Sequence, residues 1–136
     1  MAKLYFHTRD ELTCIETDLV AAVQANGNYS RIVYITKREV MLTHGLSKIE
    51  EILKSYNNNK NRFIRLGRSI IINHSFLHKI DILKQQVVLS DGDKNEIRIT
   101  IPKQILKSYK SATVKSIQLN EEKYANHIRD TRQSTF

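Results

Sequence analysis

A chain of 136 residues fits a single domain with a single core. It carries 22 Lys and Arg against 14 Asp and Glu, a formal net charge of +8, which narrows its partners to acidic ones: nucleic acid, an acidic membrane surface or an acidic protein. One cysteine, Cys14, excludes an internal disulfide or a multi-cysteine zinc site, and no apolar run is long enough for a signal-peptide core or a membrane span, so a cytoplasmic address is expected.

The charge is uneven. Residues 1–20 hold Lys3 and Arg9 against Asp10, Glu11, Glu16 and Asp18, so the rest of the chain carries the basic excess. Lys3 to His7 reads as a strand, Arg9-Asp10-Glu11 as a turn, and Thr13-Cys14-Ile15 as a second strand. The apolar neighbours of Cys14 predict a packed free thiol rather than a nucleophile. Leu19 to Gln24 is an apolar run of strand length. Asn26-Gly27-Asn28 is a hairpin signal, because Asn and Gly accept positive φ, and Arg31 to Thr36 is the returning strand. Lys37-Arg38 turns again before Glu39 to Thr43.

Leu46 to Ser55 has helical spacing. Leu46, Ile49, Ile52 and Leu53 share one face, and Glu50 and Lys54 stand four apart in the favourable order. A polar loop from Tyr56 to Asn61 breaks the pattern. Phe63 to Asn73 then reads as two short strands joined at Gly67, with Arg65 and Arg68 beside the break as unpaired cations. His74-Ser75 turns, Leu77 to Leu83 and Val87 to Leu89 read as strands, and Ser90-Asp91-Gly92-Asp93 is a further hairpin turn. Glu96 to Ile101 alternates as a half-buried strand does. Pro102 opens a helix in which Ile105, Tyr109 and Ala112 share a face, while Lys103, Lys107 and Lys110 share another. Val114 to Leu119 is weakly patterned and could add a strand, Glu121 to Arg129 could form a turn or two of helix, and Arg129 to Phe136 reads as frayed. The count is many short strands and two modest helices, hence a mostly β domain over residues 1–112 with a partly flexible extension over 113–136.

Catalytic patterns are poor. His74 and His78 are four apart, but no glutamate follows His74 and the context is strand, so a zinc-protease motif is unsupported. Asp91 and Asp93 are explained by their hairpin turn without calcium. No P-loop, dinucleotide fingerprint or nucleophile elbow is present, so an enzyme is disfavoured, and no cofactor or metal is implied. The basic constellation is better. It comprises the hairpin from Asn26 to Arg31, the pair Arg65 and Arg68, and the lysine stripe. Taken alone, the stripe is the wet side of an amphipathic helix and the arginines are solvated strand residues. Together they favour nucleic acid, with Arg suited to guanine edges and Lys to phosphates.

Three segments, in this order, resemble the LytTR DNA-binding domain, the output module of many bacterial response regulators. Ala25-Asn26-Gly27-Asn28-Tyr29-Ser30-Arg31-Ile32 is similar to the family's A-D-G-N-Y-S-R-I hairpin. Leu42-Thr43 with Leu46 to Leu53 matches its threonine-preceded helix, and Phe63 to Asn73 is similar to F-x-R-x-H-R-S-x-I-V-N. The likeness covers residues 19–109. It implies an elongated antiparallel β fold with two short helices that reads duplex DNA through loops between strands, in a cytoplasmic bacterial transcription regulator. The residues it implicates are Ser30 and Arg31, then Arg68 and Ser69, then the segment from Ile101 to Lys103; the basic constellation adds Asn28, Lys107 and Lys110 to the expected contacts, with Tyr29 and Arg65. Tyr29, Arg65 and Asn73 match the motif and could equally be structural, Asn73 by satisfying turn backbone.

Two departures stand out. Gly67 occupies the family's histidine position, and Ile101-Pro102 replaces a basic pair, leaving Lys103 and Lys107 to supply that charge. They motivate an alternative: a protein-interaction or homodimerisation module on this scaffold, with a regulatory protein partner and weak DNA reading. RNA binding ranks lower, since Tyr29 and Tyr34 are the only aromatics near the basic hairpin. The segment before Leu19 leaves no room for a phosphorylatable receiver, so a stand-alone regulator or a fragment is expected.

Overall fold

The computed structural model describes residues 3–56 and 62–120. The strands are β1 (Lys3–His7), β2 (Leu12–Glu16), β3 (Val20–Asn26), β4 (Tyr29–Tyr34), β5 (Glu39–Leu42), β6 (Phe63–Arg65), β7 (Ile70–Asn73), β8 (Leu77–Asp81), β9 (Gln86–Ser90) and β10 (Glu96–Thr100). The helices are α1 (Leu46–Tyr56) and α2 (Lys103–Asn120). A five-stranded antiparallel sheet in the order β5-β4-β3-β7-β6 is the centre of the molecule. The hairpin β1-β2 and the three-stranded sheet β10-β9-β8 are separate antiparallel units.

The central sheet is apolar on both faces, and this replaces the expected single core with two. Along β7 the alternation sends Ile71 into a cluster with β1, β2 and α1, and sends Ile70 and Ile72 into a cluster with β8–β10 and α2. An unbroken Ile-Ile-Ile run is what a strand covered on both faces requires. On β3 a register break between Val20 and Ala22 leaves Ala21 as an extra residue, so Ala21 and Ala22 both join the second cluster.

The α1 helix buries Leu46, Ile49 and Leu53 and points Lys54 back to Glu50, 3.1 Å away. In α2, Leu106 and Tyr109 are the buried anchors, and Pro102 O accepts from Leu106 N at 3.1 Å. The expected strand over Val114 to Leu119 is not there: α2 runs on to Asn120, an 18-residue helix rather than a short one. Ile117 lies four residues beyond the half-buried Thr113, so the helical period continues where an alternating one was expected. Cys14 is also exposed rather than packed. It pairs across the hairpin with Tyr5, while its neighbour Ile15 takes the inward position, because successive strand residues face opposite ways. The loop expected over Tyr56 to Asn61, beyond Tyr56, and the segments Glu121 to Arg129 and Arg129 to Phe136 lie outside the described residues.

Candidate nucleic-acid interface

The two basic turns and the β10–α2 junction meet at one end of the central sheet. Gln24 on β3 stands in register with Arg31 on one side and Ile70 on the other. Past that point Ala25 N donates to Ser69 O at 2.8 Å, which ties the β3–β4 hairpin to the β6–β7 turn. Arg31 and Ser69 thus sit about two strand spacings apart, roughly 10 Å. The β10–α2 junction completes the group. Gln24, Ala25, Arg68, Ser69, Thr100 and Pro102 all line one cleft of about 380 Å³. A neighbouring cleft, lined by Arg31, Lys37 and Arg98, shares Gln24, Ile99 and Thr100 with it.

Exposure divides the expected contacts. Asn28, Tyr29, Arg68, Ser69, Lys103, Lys107 and Lys110 are exposed. In contrast, Ser30 is completely buried, and its hydroxyl donates to His44 O at 2.7 Å. It pins the hairpin to the segment before α1 and presents nothing to a ligand. Arg65 is not an unpaired cation either. Its Nη1 donates to Glu50 Oε1 at 2.8 Å, its Nε to Gly67 O at 3.0 Å and its Nη2 to Arg68 O at 2.9 Å. It is a brace for the turn that carries Arg68. Arg31 is intermediate, held by Gln24 at 3.3 Å and by Glu39 at 3.9 Å. Tyr34 is buried, and its hydroxyl accepts from Glu16 N at 3.3 Å, which removes one of the two aromatics proposed for stacking on RNA.

Arg68 is distinctive among the seven arginines that are described. Arg9, Arg31, Arg62, Arg65 and Arg98 each face a carboxylate, and Arg38 lies over the Tyr34 ring. The Arg68 guanidinium has no such partner among the described residues. Lys103, Lys107 and Lys110 are likewise free of carboxylates there, and fall within about 60° of one another around α2. Burial works to raise the Glu50 carboxyl, but Lys54 and Arg65 outweigh it and hold the group below its ordinary value, so Glu50 stays ionised as the anchor for Arg65.

Behind the rim, Asn73 is fully buried. Its Nδ2 donates to Val20 O at 2.8 Å and its Oδ1 accepts from Ser75 N at 2.9 Å, the structural use foreseen for it. His74 Nδ1 and the Tyr109 hydroxyl lie 2.6 Å apart and join α2 to the end of β7. Burial lowers the imidazole from its ordinary 6.5 and raises the phenol above its ordinary 10, so the hydroxyl donates to a neutral ring. The Asp91 carboxylate accepts from Asp93 N, Asn95 N and Asn95 Nδ2, as a turn-forming residue does. No group of three or more His, Cys, Asp or Glu among the described residues is placed to hold a metal. Sequence reasoning missed Gln24, which orients Arg31 and lines both clefts. A polar residue closing an apolar strand is the signal that could have found it.

No helix among the described residues is long and apolar enough to cross a membrane. The sequence pattern of the LytTr DNA-binding domain matches residues 10–113, beginning ahead of the first recognised motif. Among solved structures, the chain is similar to the LytTr DNA-binding domain of a methyl-accepting/DNA response regulator from Bacillus cereus, with a TM-score of 0.55 and 16% identity over 82% of this chain and 95% of that one. No curated protein matches. The family pattern spans most of the chain and the fold agrees with it, so this chain belongs to the LytTr DNA-binding domain family.

Proposed function

We propose that this domain binds duplex DNA sequence-specifically as the output unit of a bacterial transcription regulator, reading bases through inter-strand loops and without catalysis. One observation carries the reading: two loops and a strand–helix junction, distant in sequence, meet at one rim where Arg68 lacks an acidic partner among the described residues, and the lysines of the helix that follows lack one too. Arg68 is the base-reading arginine, with Asn28, Tyr29 and Ser69 beside it. Lys103, Lys107 and Lys110 neutralise phosphates. Arg31 joins them by exchanging Glu39 for DNA, while Ser30 and Arg65 act from behind by fixing the two turns.

The test is selection from a random duplex pool at two salt concentrations, followed by sequencing and fluorescence-anisotropy titration. Enrichment of a defined motif that survives the higher salt is the expected result. Binding that vanishes with salt and enriches nothing refutes sequence-specific reading and directs the search to a protein partner or a homodimer.

A further inference from the structure

We infer that Ile105, on the second helix, is a positioning residue for DNA reading: its terminal methyl group seats against Gly67 and sets the turn that presents Arg68. The inference rests on the DNA reading proposed above. Gly67 adopts φ +79°, a conformation that side chains resist. A Cβ built there would lie 2.8 Å from Ile105 Cδ1, so the space a side chain would take is already filled by α2. The turn is therefore clamped from two sides. Arg65 holds the carbonyls of Gly67 and Arg68 from the sheet, and Ile105 abuts Gly67 from the helix. Ser69 O is fixed in addition by Ala25 N. The exposed side chains of Arg68 and Ser69 extend from this clamped backbone.

Ile105 is not itself an anchor of α2. That task belongs to Leu106 and Tyr109, at 0% and 5% exposure, whereas Ile105 is only partly buried. It lines both the cleft that holds Arg68, Ser69 and Pro102 and a second cleft of about 500 Å³ that holds His74 and Tyr109. Lys103 and Lys107 ride on the same helix, within one turn of Ile105. Phosphate engagement by these lysines fixes α2, and α2 in turn fixes the Gly67 turn, so backbone contact and base reading are mechanically joined.

Ile105→Val removes Cδ1 alone and is the clean probe. Affinity is measured for the duplex selected by the wild type and for random duplex, with the melting temperature and the amide exchange of residues 67–69. The expected result is a loss of about three- to tenfold in the ratio of selected to random binding, a fraction of what one bidentate base contact supplies. Random-DNA affinity and its salt slope stay unchanged, and the turn amides exchange faster. Gly67→Ala loses discrimination in the wild-type background and loses less in Ile105→Val, because the colliding atom has gone. Equal weakening on both duplexes, or an unchanged ratio with unchanged exchange, overturns the inference while leaving DNA reading intact. A wild type that prefers no sequence overturns DNA reading itself, and this inference with it.

Discussion

Arg65 and Arg68 stand three residues apart and look alike in the sequence, yet the structure pairs Arg65 and leaves Arg68 without a carboxylate among the described residues. Arg65→Ala removes an ion pair and two hydrogen bonds to turn carbonyls, from a side chain only 25% exposed. Hydrogen bonds to charged groups contribute roughly 1.5–3 kcal/mol each, but the three do not add here, because the carbonyls of exposed Gly67 and Arg68 regain water once the guanidinium is gone. A net loss of about 2 kcal/mol is expected, with Glu50 keeping Lys54 as a partner. For a domain of this size that lowers the melting temperature by roughly 5–10 °C. Arg68→Ala removes an exposed side chain with no carboxylate or ring partner among the described residues and should change stability by less than about 0.5 kcal/mol. On the selected duplex it should cost about 1–3 kcal/mol and relax the preference at one base position. Circular-dichroism melts and anisotropy titrations, run at a temperature where both variants are folded, separate the two roles. Arg68→Ala melting as low as Arg65→Ala, or weakening selected and random DNA equally, would refute this division.

Three further outcomes follow from named contacts. Lys107→Ala should weaken binding to all duplexes alike and make the salt slope shallower by about one unit, whereas an unchanged slope removes it from the phosphate surface. Ser30→Ala strands the His44 carbonyl and should lower stability by about 1 kcal/mol in a denaturant melt, with the sequence preference unchanged; a changed preference would mean that the hydroxyl reaches DNA. His74 is held below 6.5 by burial, so the unfolded chain takes up the proton first. Its contribution to stability is complete above 6.5 and is lost as pH falls below that value, and Glu50 repeats the pattern below 4.5. Melting temperature against pH should therefore fall on acidification through the first window and flatten there in His74→Leu; a wild type with no such fall refutes the assignment.

Strand existence was legible because β-branched or aromatic residues and Asn-Gly or Asp-Gly turns are local signals; even β1, with no β-branched residue, has Tyr5 and Phe6. Partnering was less legible. The Ile70–Ile72 run announces a buried strand but not that its two faces serve separate cores, since that depends on which distant elements cover them. The α2 helix was underestimated for a similar reason: past Tyr109 its inward positions are Thr113 and Ile117, a single strong apolar residue, and too little period remains to outweigh Val and Ile as strand formers. Around the clefts, sequence reading singled out Arg31 and Arg68 but not Lys37 or Arg98, and it gave none of their bonds. Arg65 and Ser30 match the family motif and brace the turns here, and only their partners Glu50 and His44, distant in sequence, distinguish them from residues that face solvent.

That distinction changes how the net charge should be read. A guanidinium facing a carboxylate contributes little to the field beyond a Debye length and must give up its partner before it can neutralise a phosphate. Five of the seven described arginines face carboxylates, pairs that the formal charge of +8 has already cancelled, so that figure gives the excess of cations but not which of them are ready for DNA. Among the described residues, four cations in the Arg68 cleft and on the α2 stripe face no carboxylate: Arg68, Lys103, Lys107 and Lys110. If all four meet phosphate, the logarithm of affinity should fall with the logarithm of salt at a slope of roughly −3.6 per chain, and nearer −2.7 if Arg68 is spent on a base. Anisotropy titrations on random and selected duplexes across a salt series measure both values, and the random duplex should give the steeper one. A much steeper slope on either would mean that Arg31 abandons Glu39, or that cations beyond these four share the contact. Glu39→Gln then decides, because releasing Arg31 in advance should strengthen binding only if that exchange is part of the complex.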